Sequence, residues 1–159
     1  MDCPLCNSKN IADYHQDNAR QYLKCDLCQL VFVGKENLLS IDEEKAVYDQ
    51  HENSPHDANY REFLALLFEP LQKRIPPSAK GLDFGSGPGP TLSIMLEEAG
   101  HAVKIYDPIY APDISVFDQS YDFITATEVA EHLHYPKQEF LRLWSCLKPG
   151  GTLGIMTQL

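Results

Sequence analysis

Three sets of residues in this chain have the types and spacing to do chemistry. Cys3, Cys6, Cys25 and Cys28 form two Cys-x-x-Cys pairs separated by 18 residues, a spacing at which two thiolate pairs close a tetrahedral site around one zinc ion. Asp83 ends an apolar run and opens the turn Asp83-Phe84-Gly85-Ser86-Gly87-Pro88-Gly89. A turn of this kind lets backbone pass close to a ligand where a side chain would collide, and it suits a nucleotide-type cofactor. Glu128, Glu131 and His132 spell Glu-x-x-Glu-His. On a helix those positions share one face, so two carboxylates and an imidazole could converge to take a proton from an acceptor or to hold a divalent ion.

The glycine turn also excludes. A dinucleotide fingerprint would carry its third glycine where this chain has Pro90, and no Gly-Lys-Ser/Thr loop end follows. Pyrophosphate binding, and with it a nicotinamide-dependent oxidoreductase, is disfavoured. A carboxylate at the strand end suits a positively charged cofactor better. Asp107 stands 24 positions after Asp83 and closes a second apolar stretch over 101–106. That is near the spacing at which a carboxylate accepts hydrogen bonds from paired ribose hydroxyls, although Asp107-Pro108 also reads as the start of a turn.

The elements that must position these groups follow from periodicity. Thr91 to Ala99 reads as a crossover helix with Leu92, Met95 and Leu96 on its apolar face and Gly100 as its stop. A further strand begins at Tyr121 and delivers residues 125–128 to the edge of a parallel sheet, where ligands sit in open α/β folds. Phe140, Leu141, Leu143, Trp144 and Leu147 have helical spacing, and Lys148-Pro149-Gly150-Gly151 is a turn into a last strand over 152–156. Upstream, Ile41 to Tyr48 reads as a capped, charged helix. Tyr60, Phe63, Leu64, Leu67, Phe68 and Leu71 stripe a second, amphipathic one. Tyr48, His51, His56 and Tyr60 are candidates for a lid over the site.

Asp83, Gly85, Gly87 and Gly89 resemble the first motif of the class I S-adenosylmethionine-dependent methyltransferases, an apolar strand running into Asp/Glu-x-Gly-x-Gly-x-Gly. The resemblance implies that the turn lies beneath the methionine and ribose portion of the cofactor, that Asp83 helps to hold its ammonium group, and that Asp107 binds the ribose. Ser86 and Thr127 complete the candidate cofactor-binding set. Leu147-Lys148-Pro149-Gly150-Gly151 is similar to the family's turn before its fifth strand, so the likeness spans residues 79–159. Two departures stand out. Between Asp107 and Tyr121 the chain has room only for a stub near Ile114-Ser115-Val116-Phe117 in place of the usual second helix and third strand. It also stops at Leu159, just past the fifth strand, where the family continues, which reads as a fragment. Glu-x-x-Glu-His resembles the motif of ubiquinone-pathway O-methyltransferases and small-RNA terminal 2′-O-methyltransferases, which use a divalent ion. Mg2+ is therefore one reading of Glu128, Glu131 and His132; His132 as a base, or a purely structural role, are the others. No Asn-Pro-Pro-Tyr-type motif follows the fourth strand, which leans away from N-methylation of bases. Zinc knuckles ahead of a short core are similar to the plan of sugar C-methyltransferases and of one class of ribosomal RNA guanine methyltransferases.

With 159 residues, 43% of them apolar, the chain holds one α/β domain plus a small module. The expected fold is a Rossmann-like methyltransferase sheet, truncated after its fifth strand and preceded by a zinc ribbon. The ribbon covers 1–35, a helical connector or lid 36–78, and the core 79–159. Four thiolates with no open position imply a structural metal, two disulfides being the alternative. The fifth cysteine, Cys146, falls among Leu143, Trp144 and Leu147 and reads as core. No secretory leader precedes Cys3 and no run approaches the ~18 apolar residues of a membrane span, so a cytoplasmic setting is expected. The formal charge of −10 makes long nucleic acid a poor partner, and Lys9, Arg20 and Lys24 give the ribbon only a thin cationic patch. The leading expectation is methyl transfer from S-adenosylmethionine to a small-molecule acceptor, at oxygen or carbon. Its rivals are a non-catalytic zinc-ribbon binding module with a degenerate methyltransferase fold, and an RNA methyltransferase.

Overall fold

The computed structural model describes residues 1–49 and 54–157. The chain opens with an antiparallel sheet of three strands, β1 (Ile11–Gln16), β2 (Gln21–Cys25) and β3 (Val31–Val33), in the order β1-β2-β3. Its two Cys-x-x-Cys loops repeat one hydrogen-bonding scheme. Cys3 donates its N–H to Ser8 and accepts from Asn7, while Cys25 donates to Leu30 and accepts from Gln29, all four at 2.9 Å. Asn7 and Gln29, each four residues after the first cysteine of its pair, adopt φ of 61° and 64°. These left-handed residues fold each loop back so that both of its thiols point the same way.

A short 3₁₀ turn (Lys35–Asn37) leads to helix α1 (Ile41–Tyr48). Ser40 and Glu43 cap it reciprocally: Ser40 donates its backbone N–H to the Glu43 carboxylate at 2.8 Å, and Glu43 donates its N–H to Ser40 Oγ at 3.4 Å. Helix α2 (Ala58–Gln72) starts at Asp57, whose carboxylate accepts from the N–H groups of Asn59 and Tyr60.

The second sheet is parallel throughout, with β4 (Lys80–Phe84), β5 (Ala102–Tyr106), β6 (Tyr121–Thr127) and β7 (Leu147–Met156) in the order β5-β4-β6-β7. Helix α3 (Thr91–Glu98) makes the crossover from β4 to β5, and α4 (Pro136–Ser145) the one from β6 to β7. Both faces are covered, which is why the central strands β4 and β6 are almost wholly buried. Leu64 and Leu71 of α2 pack with Leu92, Met95 and Leu96 of α3 over Phe123. On the other face Leu82, Ile124, Ala126, Leu143 and Cys146 form a second core. Gly81 makes the first packing work: a Cβ there would lie 2.0 Å from the Phe123 ring, so only glycine lets that ring cross the sheet.

Three expectations take a more definite form. The expected stub after Asp107 takes the form of a 3₁₀ helix (Ile114–Asp118), with Val116 buried and the Phe117 ring 4.7 Å from that of Tyr106. The Arg142 guanidinium of α4 stacks 3.9 Å from the Phe117 ring centre. Helix α4 ends at Ser145, and of its apolar stripe Leu143 enters the core while Leu141 and Trp144, which lie on other sides of the helix, are 60% and 67% exposed. The turn at 148–151 is looped out of β7 itself: Leu147 pairs with Tyr121, and the next partner pair is Thr152 with Phe123.

Candidate functional site

The four ribbon thiols form one cluster, their sulfurs all within 4.8 Å of one another. Cys3 Sγ lies 3.6 Å from Cys28 Sγ, and Cys6 Sγ 3.5 Å from Cys25 Sγ. Zinc–sulfur bonds of about 2.3 Å in a tetrahedron set sulfurs about 3.8 Å apart, whereas a disulfide needs about 2.05 Å. No cysteine among the described residues is disulfide-bonded. The backbone N–H of Cys28 chiefly, with that of Leu27, holds the Cys25 thiol down at about 6, while Cys6 and Cys28, crowded against it, are pushed up, so the metal-free cluster favours one thiolate at Cys25 and a cation is needed to draw off the other protons. The donor set and its geometry fit a tetrahedral zinc-binding module. Among the described residues this is the one convergent group of metal-capable side chains.

At the carboxyl edge of the parallel sheet the glycine turn is tied to its neighbour strand. Gly85 and Ser86 donate their N–H groups to the Tyr106 carbonyl at 2.7 and 3.1 Å, and Gly87 donates to Asp107 Oδ2 at 3.0 Å. The other oxygen of Asp107 accepts from the N–H groups of Ile109 and Tyr110 at 2.8 and 2.9 Å. Asp107 thus joins the turn after β4 to the loop after β5. Gly85 and Gly87 have φ of 74° and 63°; a Cβ on Gly85 would strike Val129 at 2.1 Å, whereas one on Gly87 would project into open space. That space is a cradle only a residue without a side chain leaves clear.

Asp83 is fully buried beneath the turn, where β4 and β6 lie side by side in the register Asp83 to Thr125. Its carboxylate accepts from Ser93 Oγ at 2.8 Å and Thr125 Oγ1 at 2.7 Å. Burial pushes it up to about 6 against the pull of those two hydroxyls. Burial, and then the charges of Asp83 and Glu128, hold the Tyr60 hydroxyl above the ordinary phenol range, so α2 brings an aromatic hydroxyl to this corner. Of the other lid candidates, His56 is exposed, while His51 and the side chain of Tyr48 lie outside the described residues. Asp49, just past helix α1, instead reaches the loop after β5, accepting a 2.6 Å hydrogen bond from Tyr110; that bond chiefly pushes Tyr110 up to about 12.

A scan against family models matches residues 56–159 to a methyltransferase domain. The chain belongs to this methyltransferase family. Among curated proteins no match was found. Membership makes the chain an S-adenosylmethionine-dependent methyltransferase, and the site fits that cofactor. Beside the open cradle at Gly87, Ser86 Oγ and Thr127 Oγ1 are buried with no hydrogen-bond partner among the described residues, two polar atoms that a ligand would satisfy.

Two features of the methyltransferase site differ from the sequence expectation. Glu128, Glu131 and His132 do not share a helical face. Glu128 precedes a one-turn 3₁₀ helix (Ala130–His132) and sits at φ 55°, its N–H donating to the Met156 carbonyl at 2.8 Å. The left-handed corner breaks the i, i+3, i+4 geometry, and the three do not form a metal-capable cluster; Mg2+ finds no support. Glu131 accepts from Thr157 Oγ1 at 2.8 Å. Second, the three line one wall of a cleft of about 1420 Å³ whose opposite wall is the ribbon, including Tyr22 and Phe32. His134 Nε2 donates to the Leu39 carbonyl at 3.0 Å, and Lys35 Nζ lies 4.9 Å above the Tyr135 ring, fastening the segment after the ribbon to the segment before α4. Thr125 stands within the stretch 125–128 that the sequence delivers to the sheet edge, although its bond to Asp83 is not legible there; Ser93, Val129 and Tyr110 were not foreseen and depend on packing between elements. No helix among the described residues is long and apolar enough to cross a membrane.

Proposed function

We propose that this methyltransferase acts on a small molecule, at oxygen or carbon, seated in the cleft between the ribbon and the carboxyl edge of the parallel sheet. The observation that carries this reading is the corner at Glu128, where the cradle over the glycine turn meets the cleft: Val129 packs on Gly85, while Glu128, Ala130, Glu131 and His132 line the cleft wall. A donor held over the glycines and an acceptor held against the wall are brought together at that corner, and placement supplies much of the rate in a transfer of this kind.

Each residue's part follows from its surroundings. When bound, S-adenosylmethionine supplies an electrophilic methyl group on a sulfonium. Asp83 provides the negative charge for the amino end, and Asp107 retains an acceptor site for ribose hydroxyls beyond its three N–H partners. Ser86 Oγ and Thr127 Oγ1 hydrogen-bond the same ligand, and Gly87 leaves it room. His132, half-buried on the cleft wall that Glu128 and Glu131 also line, takes the proton from an acceptor hydroxyl. Tyr60 closes the donor side. The four cysteines hold a structural zinc that fixes the ribbon wall.

Calorimetric titration with S-adenosylmethionine, with NAD as control, tests the cofactor assignment: saturable binding of the first alone is expected. A screen of hydroxyl and activated-carbon acceptors with labelled cofactor then tests the reaction. Binding without turnover on any acceptor would favour a sensing module over an enzyme.

A further inference from the structure

Three cations line the cleft, together with four carboxylates and a stretch of apolar surface. The sequence has 13 Lys and Arg against 23 Asp and Glu, so a cation on its surface has carboxylates to spare as partners. Among the described residues four cations are in ion pairs, Lys45 with Asp49, Arg61 with Glu98, Arg142 with Glu139 and Lys148 with Asp122, and others remote from the cleft, such as Lys73 and Lys104, are not. Arg20, Lys35 and Lys137 line the cleft, and among the described residues none of them has a carboxylate within ion-pair distance. They come from three separate stretches: the bend between β1 and β2, the 3₁₀ turn after the ribbon, and the first turn of α4. The cleft's acids are Asp2 and Glu36 on the ribbon side and Glu128 and Glu131 on the sheet side, the latter two at the reacting corner. Apolar surface lies between, including Phe32, Leu133 and Phe140, and Leu141 is 60% exposed there.

We propose that the acceptor is an amphipathic anion, an aromatic or acyl body bearing a phosphate or carboxylate. Arg20, Lys35 and Lys137 grip the anion, the apolar wall takes the body, and the atom to be methylated reaches the acidic, imidazole-bearing corner. This rests on the reading that the cleft holds the methyl acceptor. Lys35 packs over the Tyr135 ring, but with no carboxylate on them all three cations keep donors available, and their convergence from separate stretches on one cleft suits a ligand anion. A cleft of about 1420 Å³ exceeds the roughly 300–1,000 Å³ of ordinary small-molecule sites, so body and anion are accommodated together.

The test uses three probes with one ring system: 1-naphthyl phosphate, 1-naphthoate and neutral 1-naphthol. Each is titrated by fluorescence into the zinc-loaded chain and into Arg20→Met, Lys35→Met and Lys137→Met, singly and together. Zinc content and S-adenosylmethionine affinity are measured in parallel as checks on the fold. At least one anion should bind tenfold or more tighter than naphthol, weaken with salt, and lose about fivefold with each cation removed. The preference between the two anions identifies the handle. Equal binding of naphthol, no binding of any probe, or anion binding that survives the triple substitution would overturn the proposal while cofactor binding left the methyltransferase reading intact. Failure of the unaltered chain to bind S-adenosylmethionine would instead remove the reading beneath it.

Discussion

Gly85 and Gly87 are two residues apart, share the left-handed conformation, and should nevertheless respond differently to alanine. At Gly87 the added methyl meets nothing within 4 Å. The stability loss is therefore the backbone penalty alone, about 1–2 kcal/mol, or a fall in Tm of roughly 2–8 °C for a chain of this size. The methyl would stand in the cradle, however, so Gly87→Ala should lose S-adenosylmethionine affinity at least tenfold, about 1.4 kcal/mol. At Gly85 the methyl would lie 2.1 Å from Val129 Cγ2 and 2.9 Å from Cγ1. Overpacking adds about 1–3 kcal/mol to the backbone term, and the total approaches the smaller stabilities of natural domains. Trimming the obstacle should return part of it: Gly85→Ala with Val129→Ala should be more stable than the sum of the two single changes predicts. Urea denaturation of all four variants, with calorimetric titration of cofactor into those that fold, measures both quantities. The reasoning fails if Gly87→Ala keeps affinity within twofold, if Gly85→Ala is no less stable than Gly87→Ala, or if the double mutant shows no coupling.

Other consequences are open to direct measurement. Asp83 is held at about 6 in the folded chain against an ordinary 3.8, so the unfolded chain releases this proton first and stability should fall as pH rises from about 4 to about 6. The loss is on the order of 3 kcal/mol; urea midpoints across that window should show it, and Asp83→Asn should flatten it. A cationic amino group beside Asp83 favours its charged form, so cofactor binding near pH 6 should release a fraction of a proton, read from calorimetry in buffers of different ionisation enthalpy; zero release would remove Asp83 from that role. Metal analysis should give one zinc per chain, and Cys25→Ser or a chelator should unfold the ribbon while the core's circular dichroism persists. With an acceptor in hand, His132→Ala should lower kcat by about 10²–10⁴ if it serves as the base while leaving cofactor affinity unchanged; an unaltered kcat would leave the histidine only a wall position.

Much of this was legible because it rests on local rules. The strand before Asp83, the glycine turn, the crossover helix stopped by Gly100 and the paired cysteine knuckles are each set by residues within one turn of themselves. The missing third strand was legible as well, from the prolines and the shortness of the stretch after Asp107, although its replacement by a 3₁₀ helix held against Arg142 was not. What escaped was set between elements. Glu-x-x-Glu-His looks like a helical face only if a helix begins at Glu128; the left-handed corner there is imposed by the bond from its N–H to Met156 on β7, a residue 28 positions away. Asp83 shows its carboxylate in sequence but not the two hydroxyls that hold it, because Ser93 and Thr125 come from a helix and a strand on either side. The cleft is the least local feature, since it exists only where the ribbon and the sheet edge face each other.

The carboxylate of Asp107 has a kinetic and entropic meaning beyond the ribose role proposed for it. With three N–H groups from two loops on it, both loops are ordered before any ligand arrives, and their conformational entropy is lost during folding instead of at binding. Cofactor then docks on a rigid frame, so association should approach the rate of a lock-and-key encounter, and affinity gained by later substitutions should appear as slower dissociation. Cutting the link with Asp107→Ala should reverse that order of events, turning a single-step association into one limited by loop closure.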